Sequence, residues 1–168
     1  MRILLIALLS LSILGCQQKA EEPAPPDHAA QVAKLYASFA EGNVDAVLAG
    51  LTEDVEWNEA EGFIYYNGGP YVGADAVVEG VFGRIGAEWE YWNLVDLNIE
   101  NLGTDKALAT GRYQAKHKAT GNMLDAQFAH VWTMRDTLVM RFQQYTDTKQ
   151  AAEVIMPVEE EEGEEEGA

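Results

Sequence analysis

One cysteine, Cys16, stands in the 168 residues, so a disulfide within the chain is excluded and a cysteine-built metal site in the domain has no ligands. Basic residues are scarce: 11 Lys and Arg against 28 Asp and Glu give a net charge of −17. A chain this acidic, with no basic stripe, repels a phosphate backbone, which excludes nucleic acid as a partner. The three histidines, His28, His117 and His130, are far apart and show no paired spacing, so neither a metal site nor a cofactor is expected. The long apolar run at the N-terminus is too short to span a bilayer as a helix. What remains is 48% hydrophobic and 10% aromatic, apolar enough for one domain with a proper core.

The two ends depart from that average. Residues 1–15, MRILLIALLSLSILG, begin with Arg2, continue apolar and end in small residues, the pattern of a secretion signal. Ile13-Leu14-Gly15-Cys16 resembles the lipobox of bacterial lipoproteins. That resemblance implies cleavage before Cys16, a lipid on its sulfur and attachment to the cell envelope; an ordinary signal peptide with a chance cysteine is the alternative. Gln17, where an aspartate would mark retention in the inner membrane, implies the outer membrane facing the periplasm. Residues 16–27 carry three prolines and nothing to bury, and read as a tether. At the other end, residues 157–168 hold seven glutamates and two glycines and read as an acidic tail that cannot pack.

Between them, residues 28–156 form one domain. Asp27 can cap a helix whose Val32, Leu35, Tyr36 and Phe39 recur at helical spacing, with Gly42 as its stop. A second helix runs from Asn43 to about Leu51. Residues 52–59, TEDVEWNE, alternate as a half-buried strand. The glycine-rich loop 60–73 holds Phe63, Tyr65, Tyr66 and Tyr71 and is expected to be a lid or a dimer contact. A helix over 74–85, broken by Gly83 and Gly86, precedes strands over 89–101 and 107–116 and a closing hairpin. Helices then cover one face of a curved antiparallel sheet, an α+β arrangement.

The hairpin, residues 125–147, carries the candidate site. With Asp136 and Thr137 as its loop, His130 faces Gln143, Trp132 faces Arg141, Phe128 faces Tyr145 and Ala126 faces Asp147. One sheet face then mixes aromatics with groups able to exchange protons, and a one-residue slip would invert the sorting. His130 is placed to act as acid or base, or equally to be a buried histidine bonded to Gln143. Trp132 and Arg141 make a cation–π pair at a cavity wall or an ordinary exposed pair. Tyr145 and Asp147 put a hydrogen-bond donor beside a base, or a plug beside a helix cap. A turn at Thr120 and Gly121 would set Gly111 opposite His130.

The order of these elements, together with EGNVDAVLAGLTEDVEWNEAEG, GRYQAKHKATG, LDAQFAHVWTMRD and RFQQYTDT, resembles the SnoaL-like and ketosteroid isomerase-related branch of the nuclear transport factor 2-like superfamily. The resemblance implies a cone-shaped cystatin-like barrel, often a homodimer, with a cavity between helices and sheet. It also implies a pocket histidine at His130 and an aspartate base at Asp147. The ketosteroid isomerase base falls on Asn58, which cannot take a proton; Glu56, Glu59 or Glu61 would be the substitute base. Two functions follow as expectations. The first is a lipid-anchored domain binding a small, mostly apolar molecule through Asn58, Trp57, Trp132, Phe128, Gln143, Arg141 and Tyr113. The second is an acid–base enzyme of isomerase, cyclase or hydrolase type, with His130 and Asp147 exchanging protons and Tyr145 orienting an oxygen.

Overall fold

The computed structural model describes residues 26–157. The expected secretion signal, Cys16, most of the expected tether and nearly all of the acidic tail therefore lie outside the described residues. Helix α1 (His28–Ala40) begins where Asp27 accepts the Ala30 amide at 3.1 Å, and Gly42, at φ 71°, ends it in the left-handed conformation that glycine takes without strain. Val32 and Tyr36 bury the expected face. Asn43 caps the short α2 (Val44–Leu48) in the same way.

Strand β1 (Leu51–Asn58) follows, and the loop beyond it includes a two-residue strand, β2 (Tyr71–Val72). The expected third helix is interrupted differently from its sequence pattern. Helix α3 (Ala74–Val77) passes into a π-helical turn (Val78–Phe82) and on into α4 (Gly83–Glu88), so Gly83 and Gly86 do not break it. A π turn inserts a residue and redirects the side chains beyond it, here aiming Val81 and Phe82 at the interior.

Four strands complete the chain: β3 (Trp89–Asn101), β4 (Lys106–His117), β5 (Met123–Arg135) and β6 (Leu138–Thr146), followed by α5 (Thr148–Val154). The expected meander is present, within one six-stranded sheet of order β2-β1-β6-β5-β4-β3. The sheet is mixed, not wholly antiparallel, because β1 lies parallel to β6. Helix α1 packs on β3 and β4, and the α+β cone has its core between the helices and the concave face.

Two registers differ from the sequence expectation. Ala109 stands opposite His130 and Gly111 opposite Phe128; the offset of two residues keeps the same faces. In the β5–β6 hairpin the offset is one residue, with larger consequences. Arg135 pairs with Leu138 and Met134 with Val139 as expected, but a bulge at Met140 then sets Thr133 opposite Arg141, Trp132 opposite Phe142 and His130 opposite Gln144. The burial of Val139, Phe142 and Gln144, three residues and then two apart, records the extra residue. Only Asp136 of the loop has positive φ, 58°, so the turn is not the type I′ turn that would hold a regular hairpin.

Candidate functional site

The bulge decides which side chains share the concave face. His130, Trp132 and Tyr113 stay on it, joined from β6 by Phe142 and Gln144 in place of Arg141, Gln143 and Tyr145. The corrected residues have other settings. Arg141 is exposed on the outer face, where its guanidinium pairs with Glu56. Gln143 donates to the Gln144 carbonyl at 2.9 Å. Tyr145 is 56% exposed and sits opposite Ala129. Asp147 is exposed and accepts the Gln150 amide at 3.0 Å as the cap of α5. Asn58 shares the outer face with Glu56 by strand alternation, and its amide reaches the Phe142 carbonyl at 3.4 Å. Phe128 stays inside, its ring stacked on His130 with centroids 4.1 Å apart.

Helix α1, the π turn and the loop after β1 close the concave face into a cavity that offers about 60 Å³ to the centres of water-sized molecules, room for a few waters or a compact organic molecule. Its wall is mainly apolar. Trp57 stacks on Phe142 at 3.8 Å between centroids and meets Trp132 and Phe82 edge-on. The aromatic loop turns inward: Phe63 and Tyr65 are buried and border the cavity, whereas Tyr66 is 39% exposed. Tyr65 is held from outside the cavity, donating to Glu88 at 2.9 Å and accepting the Trp89 indole N–H at 2.7 Å, with the Arg84 guanidinium over its ring.

Two polar groups break the apolar wall. The first is His130, enclosed between hydroxyls. Tyr36 Oη lies 2.7 Å from Nδ1 and Tyr113 Oη 2.6 Å from Nε2. Trp132 donates to the Tyr36 oxygen at 3.2 Å, and Gln144 to the Tyr113 oxygen at 3.0 Å. Burial disfavours the imidazolium and pushes the pKa of His130 down to about 3. The same desolvation raises both tyrosine hydroxyls above their usual range, so the trio is neutral.

The second is Glu59, one residue past the end of β1 and pointing inward because Val55 and Trp57 do. It is 3% exposed. One carboxyl oxygen accepts the Trp57 indole N–H at 2.7 Å; the other is buried and has no hydrogen-bond partner among the described residues. Burial raises the pKa to about 7, and the Trp57 bond partly offsets the rise. Such a carboxyl gives or takes a proton near neutral pH. The sequence signal for it was the strand period itself: Asn58 lies out of phase with Trp57, and Glu59 in phase. Glu59 is one of the three glutamates expected from the sequence as a substitute base; Tyr36, not singled out as a site residue, had its signal in the helical period that turns it inward. Among the described residues no cluster of histidines and carboxylates forms a metal site.

Residues 32–142 match the SnoaL-like domain model. An NTF2-like protein of Burkholderia thailandensis is similar at 31% identity over 77% of this chain and 97% of that one, with a TM-score of 0.71. TerC, co-crystallised with polyporic acid, is 25% identical over 76% of this chain and 96% of its own, TM-score 0.66. An NTF2-like protein of unknown function from Burkholderia pseudomallei shares the fold at 22% identity over 78% of this chain and 98% of its own, TM-score 0.70. No curated protein matches the chain significantly. An α+β cone, an inward histidine on β5 and a family match across most of the described residues agree: the chain belongs to the SnoaL-like domain family of NTF2-like proteins.

Proposed function

We propose that the domain binds a small, mostly apolar molecule in the cone cavity and exchanges a proton with its polar end through Glu59. The observation that carries this is the unpartnered carboxyl oxygen of Glu59, buried at an apolar wall. An orphaned buried oxygen costs about 1–3 kcal/mol, a cost that a ligand hydrogen placed there removes. Above pH 7 the carboxylate is the base; below it, the same group is the acid. The co-crystallisation of TerC with polyporic acid supports a ligand role for this fold.

Deuterium exchange at the carbon next to a ketone tests the proton step. In D2O the protein should accelerate exchange of cyclohexanone over buffer, with a rate that rises through about pH 7, and Glu59→Gln should return it to the buffer rate. Wild-type exchange no faster than buffer would reject proton transfer.

For the chain as a whole we propose a lipid at Cys16 that holds the domain at the periplasmic face of the bacterial outer membrane. Cys16→Ser should then move the protein from the membrane fraction to the soluble fraction; an unchanged membrane fraction would reject the anchor.

A further inference from the structure

The hydrogen bonds around His130 leave one proton unspent. Two contacts, Tyr36 to Nδ1 and Tyr113 to Nε2, each hold one hydrogen. Three hydrogens are available to them: one on each hydroxyl and one on the neutral ring. The ring is neutral because burial without a counter-charge disfavours the cation.

The surplus hydrogen has nowhere to go within the trio. Trp132 approaches Tyr36 with an N–H and offers no acceptor. Gln144 is oriented by its carbonyl oxygen, which accepts the Ala60 amide at 3.1 Å, so only its NH2 reaches Tyr113. If the imidazole hydrogen is on Nδ1, Tyr36 receives it and keeps its own hydrogen free; if on Nε2, Tyr113 does. Among the described residues neither hydroxyl has a further partner, and both tyrosines border the cavity.

We infer that the cavity presents one tyrosine hydroxyl hydrogen to its occupant, selected by the tautomer of His130, and that the ligand carries an acceptor oxygen of carbonyl type. His130 is then a positioning residue: both of its nitrogens are taken by the tyrosines, and it decides which hydroxyl donates to the ligand. The inference rests on the cavity being a ligand site, as proposed above, but not on proton transfer by Glu59.

The test is the infrared carbonyl band of 13C-labelled cyclohexanone bound to the full protein, with methylcyclohexane as the probe lacking an acceptor. The band should lie at lower frequency than in an alkane solvent at pH 5 and pH 8 alike, because the donor is a hydroxyl and not the carboxyl, which has lost its hydrogen at pH 8. Tyr36→Phe with Tyr113→Phe should abolish the displacement and weaken cyclohexanone about tenfold, the loss of one net hydrogen bond, while methylcyclohexane binding changes less than about twofold. Nitrogen-15 shifts of His130 in the wild type report which nitrogen carries the hydrogen, without reliance on a variant that folds. An alkane-like band in wild type, a displacement lost between pH 5 and pH 8, or an imidazolium at neutral pH would each overturn the inference. Failure of both probes to bind would remove the ligand site beneath it. Deuterium exchange without a displaced band would refute this inference and leave the Glu59 proposal standing; a displaced band without exchange would do the reverse.

Discussion

Trp57 and Glu59 meet through a 2.7 Å hydrogen bond from the indole N–H to one carboxyl oxygen, and the second oxygen is left bare inside the protein. Strand alternation puts both on the concave face. The bond orients the carboxyl and favours its ionised form, while burial opposes ionisation more strongly. Trp57→Phe is therefore expected to raise the Glu59 pKa above 7, read from the carboxyl carbon shift on titration.

The raised carboxyl makes a pH dependence of definite sign. From the unfolded value near 4.5 to the folded value of about 7 the native state holds the proton more tightly, so this group's contribution to stability falls as pH rises across that window. Above it the full cost is present, up to about 3 kcal/mol. Glu59→Gln should equal wild type near pH 4 and exceed it near pH 8 in denaturant melts.

His130 runs the opposite way. A histidine held neutral down to about pH 3 contributes stability that is complete above the unfolded value of 6.5 and is lost as pH falls toward 3. Its imidazole carbon–proton cross-peaks should stay at neutral positions through pH 5. Between 4.5 and 6.5 the two slopes oppose each other, so wild type should be flatter with pH there than Glu59→Gln.

The bulge at Met140 predicts contrasting costs along β6. Phe142 is 2% exposed and stacked on Trp57; Phe142→Ala should cost about 3–5 kcal/mol. Tyr145 is 56% exposed, and Tyr145→Ala should stay within about 0.5 kcal/mol. Equal costs in urea melts would mean that the register is wrong.

Glycine has two meanings in the helical stretch 74–88. A methyl group on Gly80 would sit 2.1 Å from the Tyr71 ring, so Gly80→Ala should lose about 1–3 kcal/mol as that ring is displaced. Nothing lies within 4 Å of the same position on Gly86, and Gly86→Ala should gain about 0.5–1 kcal/mol. Thermal melts separate the two.

Much of the architecture was legible because it follows from local periods and caps. The helical spacing of Val32, Leu35, Tyr36 and Phe39, the cap Asp27, and the alternation along β1 and β5 are properties of neighbouring residues; along β3 the bulges broke the period, leaving Tyr91 and Leu97 exposed and turning Trp92 and Leu94 to the cavity. His130, Trp132, Trp57 and Tyr113 were on the right face for the same reason. The parallel pairing of β1 with β6 was not legible, since the two strands are some 85 residues apart in sequence and nothing local sets which edge of β6 is free.

The sequence alone determined the periods, the caps, the family resemblance and the surplus of acid over base, all of which are local or additive. Tertiary structure decided which face of β6 looks inward, because one extra residue at Met140 inverts a period of two and no composition marks it. It also decided how deeply Glu59 is buried, that Asp147 serves as the cap of α5, and that His130 lies between two hydroxyls. Each depends on groups brought together from distant strands and helices, where burial removes water and makes a missing hydrogen-bond partner count.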